Sequence, residues 1–196
     1  VSENGRFAVS VALDQSMRVW NIKQYGEIGG HSGYMPSSNA VAISPDGKTV
    51  VLDVHKTLQL FDIASEKITH VFRGHFHLIS SLLYTPDGSM IISGSYDHTL
   101  RSWDLTDGQT INTFRGHKDR INDIAITKDG RYLASVSEDR SLKVWDLANG
   151  NEEAMATFQA GDALRSCAFA PDGVTIVAGD KSGRVHFLRL ELPAKK

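Results

Sequence analysis

Between Ile121 and Phe158 the apolar residues fall into four short alternating runs. Ile121 to Ile126 ends at an Asp129-Gly130 turn, and Tyr132 to Ser137 is closed by Glu138-Asp139-Arg140. Leu142 to Leu147 is closed by Asn149-Gly150 and followed by Ala154 to Phe158. Alternation with a period of two puts one side chain in two on each face of an extended strand. Asp-Gly and Asn-Gly tolerate the positive φ that hairpin turns demand. No stretch sustains a helical period with capping residues at its ends. The pattern predicts a four-stranded antiparallel meander and an all-β chain.

That unit repeats. Trp103-Asp104 and Trp145-Asp146 stand 42 positions apart, and so do Gly74-His75 and Gly116-His117. Pro45-Asp46-Gly47, Pro86-Asp87-Gly88 and Pro171-Asp172-Gly173 follow apolar runs, with Lys128-Asp129-Gly130 and Glu3-Asn4-Gly5 at matching places. The glycines Gly5, Gly47, Gly88, Gly130 and Gly173 are spaced 42, 41, 42 and 43 residues apart, which marks five copies over nearly the whole chain.

Gly-His before the first strand, Asp in the second hairpin and Trp-Asp closing the third strand resemble the WD-repeat family of β-propellers, whose period is about 40–45 residues. The resemblance implies four-stranded blades over residues 1–29, 30–73, 74–115, 116–159 and 160–192, with 193–196 as a tail. The first blade is expected to lack its inner strand and the last its outer strand, so the chain is expected to be part of a larger ring. It also implies a hydrogen-bonded set in each blade. Blade 3 offers His75, Asp97, Trp103 and a hydroxyl from Ser93 or Ser95. Blade 4 offers His117, Asp139, Trp145 and Ser135 or Ser137. Ser95 and Ser137 are the assigned pair. Blade 1 contributes Asp14 and Trp20, and blade 2 contributes His31, with Phe61-Asp62 for Trp-Asp. Blade 5 contributes Asp180, with Gly161-Asp162 for Gly-His and His186-Phe187 for Trp-Asp.

A Ser-His-Asp set suggests a hydrolase. This one recurs in two blades beside a Trp donor, whereas a catalytic triad occurs once, at an exposed nucleophile. The expectation is therefore a non-catalytic protein-interaction module. The alternative is a propeller enzyme with a hydrolytic or redox site in the central channel, which needs unrepeated polar residues converging on the axis. No metal, cofactor or phosphate-loop pattern stands out. His75-Phe76-His77 has no further ligand at metal spacing, and the glycines from Gly26 to Gly33 lack a Gly-Lys-Ser/Thr ending.

The family resemblance places partner binding on the face formed by the loop after Gly-His and by the second hairpin. The candidates there are Phe76, His77 and Tyr96 of blade 3 and Lys118, Asp119, Arg120 and Glu138 of blade 4. Ser32, Tyr34 and Met35 of the long blade 2 loop join them. Phe76, Tyr34, Tyr96 and Arg120 are the expected anchors, because aromatic and Arg side chains dominate interface energetics. Arg18, Arg101, Lys143 and Arg184 share one position of the third strands and read as a solvated, edge-protecting row.

The closing segment, Ala160-Gly161-Asp162 through Gly183 to Leu190, is also similar to the last blades of bacterial proteins that join WD repeats to signalling ATPase, protease-like or kinase domains. That likeness implies a sensor or autoinhibitory propeller, with a scaffold or substrate adaptor as its rival. The formal net charge of −2 gives no electrostatic case for nucleic acid or an anionic membrane. The single cysteine, Cys167, excludes a disulfide within the chain and fits a reducing compartment, so a cytoplasmic location is expected.

Overall fold

A computed structural model describes residues 1–2, 5–12, 16–32 and 38–191, with only the backbone of residues 28 and 30–32. The described chain folds into five antiparallel meanders. The first has three strands, β1 (Phe7–Val11), β2 (Ser16–Asn21) and β3 (Gly26–Ser32). The second has four, β4 (Val41–Ile43), β5 (Thr49–Val54), β6 (Thr57–Asp62) and β7 (Lys67–Arg73). The third runs β8 (Ile79–Tyr84), β9 (Met90–Ser95), β10 (Thr99–Asp104) and β11 (Thr110–Arg115). The fourth runs β12 (Ile121–Ile126), β13 (Tyr132–Ser137), β14 (Ser141–Asp146) and β15 (Ala156–Gln159). The fifth has three strands, β16 (Leu164–Phe169), β17 (Thr175–Asp180) and β18 (Val185–Arg189). These are propeller blades set side by side in an open arc, with β4, β8, β12 and β16 as the inner strands.

The strands alternate because successive blades bury their apolar faces against one another. The four apolar cores lie between successive sheets. Val51, Leu58, Phe72, Ile79, Leu82 and Trp103 join the second to the third, and Ile92, Leu100, Phe114, Ile121, Leu133 and Trp145 join the third to the fourth. Gly94 shows how close this contact is, since a Cβ there would lie 2.9 Å from Ile121 Cγ2. Polar clasps tie the inner strands together. Ser80 Oγ donates to Ile121 O at 2.6 Å, and Asn122 Nδ2 donates to Leu164 O at 2.7 Å. Asp123 bridges three blades, accepting from Ser81 Oγ at 3.2 Å and from the Cys167 N–H at 3.0 Å.

The strand pairings correct four readings of the sequence. Gly30-His31 lies inside β3, where His31 pairs with Met17 just as Phe114 pairs with Leu100, so the pair does not open the second blade. The long connection to β4 hides this offset from sequence spacing. In the fifth sheet Leu188 pairs with Ile176 as Trp145 pairs with Leu133, so Leu188-Arg189 occupies the Trp-Asp place, and His186-Phe187 does not. Asp180 pairs with Leu164 as Ser137 pairs with Ile121, so it stands at the Ser137 register and not at that of Asp139. The third-strand row likewise comprises Arg18, Arg101, Lys143 and His186, with Arg184 outside it.

The blade network and candidate interaction face

In the third sheet the second strand carries Ser93 into the interior, and the hairpin places Asp97 beside the loop that follows β7. His75 Nδ1 lies 2.7 Å from Asp97 Oδ2, and its Nε2 lies 2.7 Å from Ser93 Oγ. Trp103 Nε1 donates to the same Ser93 oxygen at 2.9 Å. The fourth sheet repeats this with His117 to Asp139 at 2.9 Å, His117 to Ser135 at 2.7 Å and Trp145 to Ser135 at 2.9 Å. With His75 protonated on Nδ1, every donor meets an acceptor. The indole N–H reaches the serine oxygen, the serine O–H reaches Nε2, and Nδ1–H reaches the carboxylate.

Ser93 and Ser135 thus replace Ser95 and Ser137 as the network hydroxyls. Ser95 and Ser137 sit one alternation further along, against the hairpin. Ser95 Oγ donates to Leu78 O at 2.9 Å and accepts from the Asp97 N–H at 3.1 Å, and Ser137 does the same with Asp119 O and the Asp139 N–H at 3.1 and 3.0 Å.

Burial of Asp97 and Asp139 works to raise their pKa. Hydrogen bonds from His75 and His117, and from the Thr99 and Ser141 hydroxyls, outweigh it and hold both carboxyls well below the usual range. Both triads are closed to substrate, because Ser93 and Ser135 are fully buried beneath an indole. Gly74 permits this, since a Cβ there would lie 3.0 Å from Trp103 Cη2 and 2.8 Å from Arg101 Nη1.

Register alignment reveals a pairing that the motif reading passed over. The position of Ser93 and Ser135 is filled by Ser10, Leu52 and Ala178 in the other sheets, and the Trp position by Trp20, Phe61 and Leu188. Wherever an indole N–H needs an acceptor there is a serine, and wherever the ring or chain has no N–H there is a hydrocarbon. Trp20 Nε1 accordingly donates to Ser10 Oγ at 3.1 Å, although that pair is exposed. The signal was present in the sequence as Ser-Val-Ala-Leu, Ser-Gly-Ser-Tyr and Ser-Val-Ser-Glu, each beginning within a strand, at Ser10, Ser93 and Ser135. Asp14 and Tyr34 lie outside the described residues, as does the His31 side chain.

The second and fifth blades use other polar devices. Asp53 is fully buried and accepts from Ser38 Oγ, Asn39 N–H and Ala40 N–H at 2.7, 2.6 and 2.7 Å, while its Oδ2 has no partner among the described residues. Desolvation raises its pKa despite these bonds. Asp180 accepts from the Ser182 and Arg184 N–H groups at 3.0 and 2.9 Å and lies 3.0 Å from His186 Nε2. Asp162 caps the Ala163 N–H at 2.8 Å, as Asp119 caps that of Arg120 at 2.7 Å.

The network also holds the loops of the candidate face. The Phe76 N–H donates to Asp97 at 3.0 Å, and the Lys118 N–H to Asp139 at 2.8 Å. Phe76 is thereby presented with 80% of its surface exposed. The Arg120 guanidinium lies 5.1 Å over the Tyr96 ring, and His77 packs 5.8 Å from the same ring. Glu138 pairs with Arg165 and accepts from Asn122 Nδ2 at 3.3 Å. Phe76, His77, Tyr96 and Arg120 therefore form one contiguous surface across two blades, with Lys118 and Asp119 in the loop that carries Arg120. The four members of the third-strand row bind within their own sheets, as Arg18 to Glu27, Arg101 to Thr110, Lys143 to Thr157 and His186 to Asp180. Among the described residues no cluster of three or more His, Cys, Asp or Glu is placed to hold a metal ion, and no helix is long and apolar enough to cross a membrane.

Five repeated antiparallel meanders of three or four strands, two of them built around a complete Trp-Ser-His-Asp chain, define a WD-repeat propeller segment. The family model for the WD domain, G-beta repeat, matches residues 66–104, 108–146 and 153–187, more than half of the chain, and the chain belongs to that family. It is 37% identical over 92 residues to a guanine nucleotide-binding protein subunit beta of Schizosaccharomyces pombe, which covers 45% of this chain and 30% of that protein. It is 27% identical over 97 residues to an uncharacterised WD repeat-containing protein of Synechocystis sp., covering 48% of this chain and 28% of that protein. The chain thus spans less than a third of each relative's length.

Proposed function

We propose that this chain is a non-catalytic interaction module, the scaffold or sensor propeller of a larger multidomain protein, which binds a protein or peptide segment on its loop face. The observation that carries this is the exposed Phe76 beside the Arg120–Tyr96 stack, held in place by two buried networks. An exposed aromatic on a rigid support avoids the ordering cost that weakens binding by mobile loops. A role in signal transduction is supported by the likeness to a G-protein beta subunit. The sensor role beside a signalling domain has only the resemblance of the closing segment behind it. A reducing, cytoplasmic setting belongs to the same proposal, supported by the lone Cys167.

The test is selection of binding peptides from a random displayed library, followed by titration of the selected peptides against variants. A Phe76→Ala/Arg120→Ala double variant should lose about tenfold or more in affinity, as expected for central aromatic and Arg anchors. A Lys128→Ala variant, in the hairpins of the opposite face, should bind as the parent does. Loss only with the second variant would move the interface to the wrong face. Turnover of any ester, phosphate or redox substrate that disappears in Asp123→Asn, the unrepeated carboxylate of the inner strands, would overturn the non-catalytic reading.

A further inference from the structure

The formal net charge of −2 hides an uneven use of charge between the two ends of the blades. At the end formed by the first hairpins, the carboxylates close their own turns. Asp46 accepts from Ser44 Oγ at 2.6 Å and the Lys48 N–H at 3.0 Å, Asp87 from Thr85 Oγ1 at 2.6 Å and the Ser89 N–H at 3.0 Å, and Asp129 from Thr127 Oγ1 at 2.6 Å and the Arg131 N–H at 3.1 Å. These acids have local structural work.

The loop end differs in its cations. Its carboxylates are engaged internally, with Asp97 and Asp139 in the buried networks, Asp119 and Asp162 capping the next residue, and Glu138 on Arg165. Of its cations, Arg165 is held by Glu138. Lys56, Lys118, Arg120 and Arg140 are exposed, and among the described residues none of them is paired with a carboxylate. Arg120 is exposed with its guanidinium 5.1 Å over the Tyr96 ring, and its N–H groups can meet a carboxylate bidentately. Phe76 supplies an exposed apolar side chain at the same end of the blades.

We infer that the loop face receives an acidic polypeptide segment, whose carboxylates meet Lys118, Arg120 and Arg140 and whose apolar side chain covers Phe76. This rests on the interaction-module reading and adds the chemistry of its partner. Complementary charge steers such a segment to the loop face and away from the opposite end, where carboxylates line the turns. A long polyanion such as nucleic acid fits less well, because its field would extend over those carboxylates too and the chain as a whole carries no positive excess.

Fluorescence anisotropy with short labelled peptides tests this. The probes are a Glu-rich peptide containing one Phe, the same peptide with Phe replaced by Ala, a Lys-rich peptide containing the Phe, and an oligothymidylate of equal charge. The Glu-rich Phe peptide should bind saturably and weaken about tenfold or more between about 0.05 M and about 0.5 M salt. Loss of the Phe should weaken it, and Lys118→Glu/Arg120→Glu should weaken it by about tenfold or more, as removing charge complementarity does. Arg120→Lys, which keeps the charge but not the bidentate N–H pair, should weaken binding less than Arg120→Glu, and circular dichroism melts establish that each variant is folded. Equal binding of the Lys-rich peptide, indifference to the double charge reversal, or tighter binding of the oligothymidylate would each overturn the inference. If library-selected peptides need Phe76 but show no excess of acids, the partner chemistry is wrong and the interaction module stands. If they do not need Phe76, both fall.

Discussion

Trp103 Nε1 donates to Ser93 Oγ at 2.9 Å, and that oxygen lies 2.7 Å from His75 Nε2, so one buried hydroxyl joins the third strand of a blade to the loop entering its first. Ser93 is fully buried, so this Ser-His-Asp geometry lacks the open approach that a nucleophile needs. Replacing either end leaves a buried donor or acceptor unpaired.

Ser93→Ala should therefore lower stability by roughly 1–3 kcal/mol, with Ser135→Ala similar. Ser10→Ala should cost roughly 0.5 kcal/mol or less, because its Trp20 partner is exposed and water replaces the lost bond. Denaturant unfolding of the three variants checks the order. Equal losses would mean that the network adds nothing beyond one ordinary surface hydrogen bond.

Acid sensitivity follows from Asp97 and Asp139. Their folded pKa values lie below the unfolded value near ~3.9, so the stability they contribute is present above that value and is lost as the pH falls through it towards the folded values. Asp139→Asn should be less stable than the parent at neutral pH, and the gap should narrow on acidification below about pH 4. Thermal melts across that range measure the gap.

Asp53 carries the opposite sign. Burial raises its folded pKa above the unfolded value, so the ionised carboxylate is the disfavoured form in the folded state. Stability is lost as the pH rises from the unfolded towards the folded pKa, and Asp53→Asn escapes that loss. The melting temperature of Asp53→Asn, relative to the parent, should climb with pH over that window. A constant difference at every pH would show that the Oδ2 left without a partner bears no charge cost.

On the fifth sheet, β18 presents Phe187 and Val185 with 75% and 58% of their surfaces exposed. Apolar residues on an edge strand invite pairing with another chain. The isolated chain should show a concentration-dependent mass in size-exclusion chromatography with light scattering, and Phe187→Lys should shift it towards monomer without lowering the melting temperature. A mass that is independent of both concentration and substitution would remove this edge as an association surface.

The repeat was legible because its signals are local. Alternation, Asp-Gly turns and the paired Trp-Asp and Gly-His dipeptides each report on a few neighbouring residues, and together they define all-β blades and the network in the two regular ones. Register was not legible where a loop changes length. Gly30-His31 carries the right letters, yet it lies inside β3, and His186-Phe187 falls beside the Trp-Asp place that Leu188-Arg189 fills. Only strand pairing decides such offsets, since a hairpin or connection can absorb a residue without any mark in the flanking strands.

The choice between Ser93 and Ser95 has the same origin. Both serines point to the same side of β9, and only the cross-strand pair Ile91–Trp103 sets which of them the indole reaches. The contact of Arg120 with Tyr96, and with it the continuity of the loop face, depends on how two blades pack side by side. Such packing joins residues far apart in sequence. The sequence by itself thus determined the unit, its turns and its buried chemistry, and tertiary packing decided register, the network hydroxyl and the surface offered to a partner.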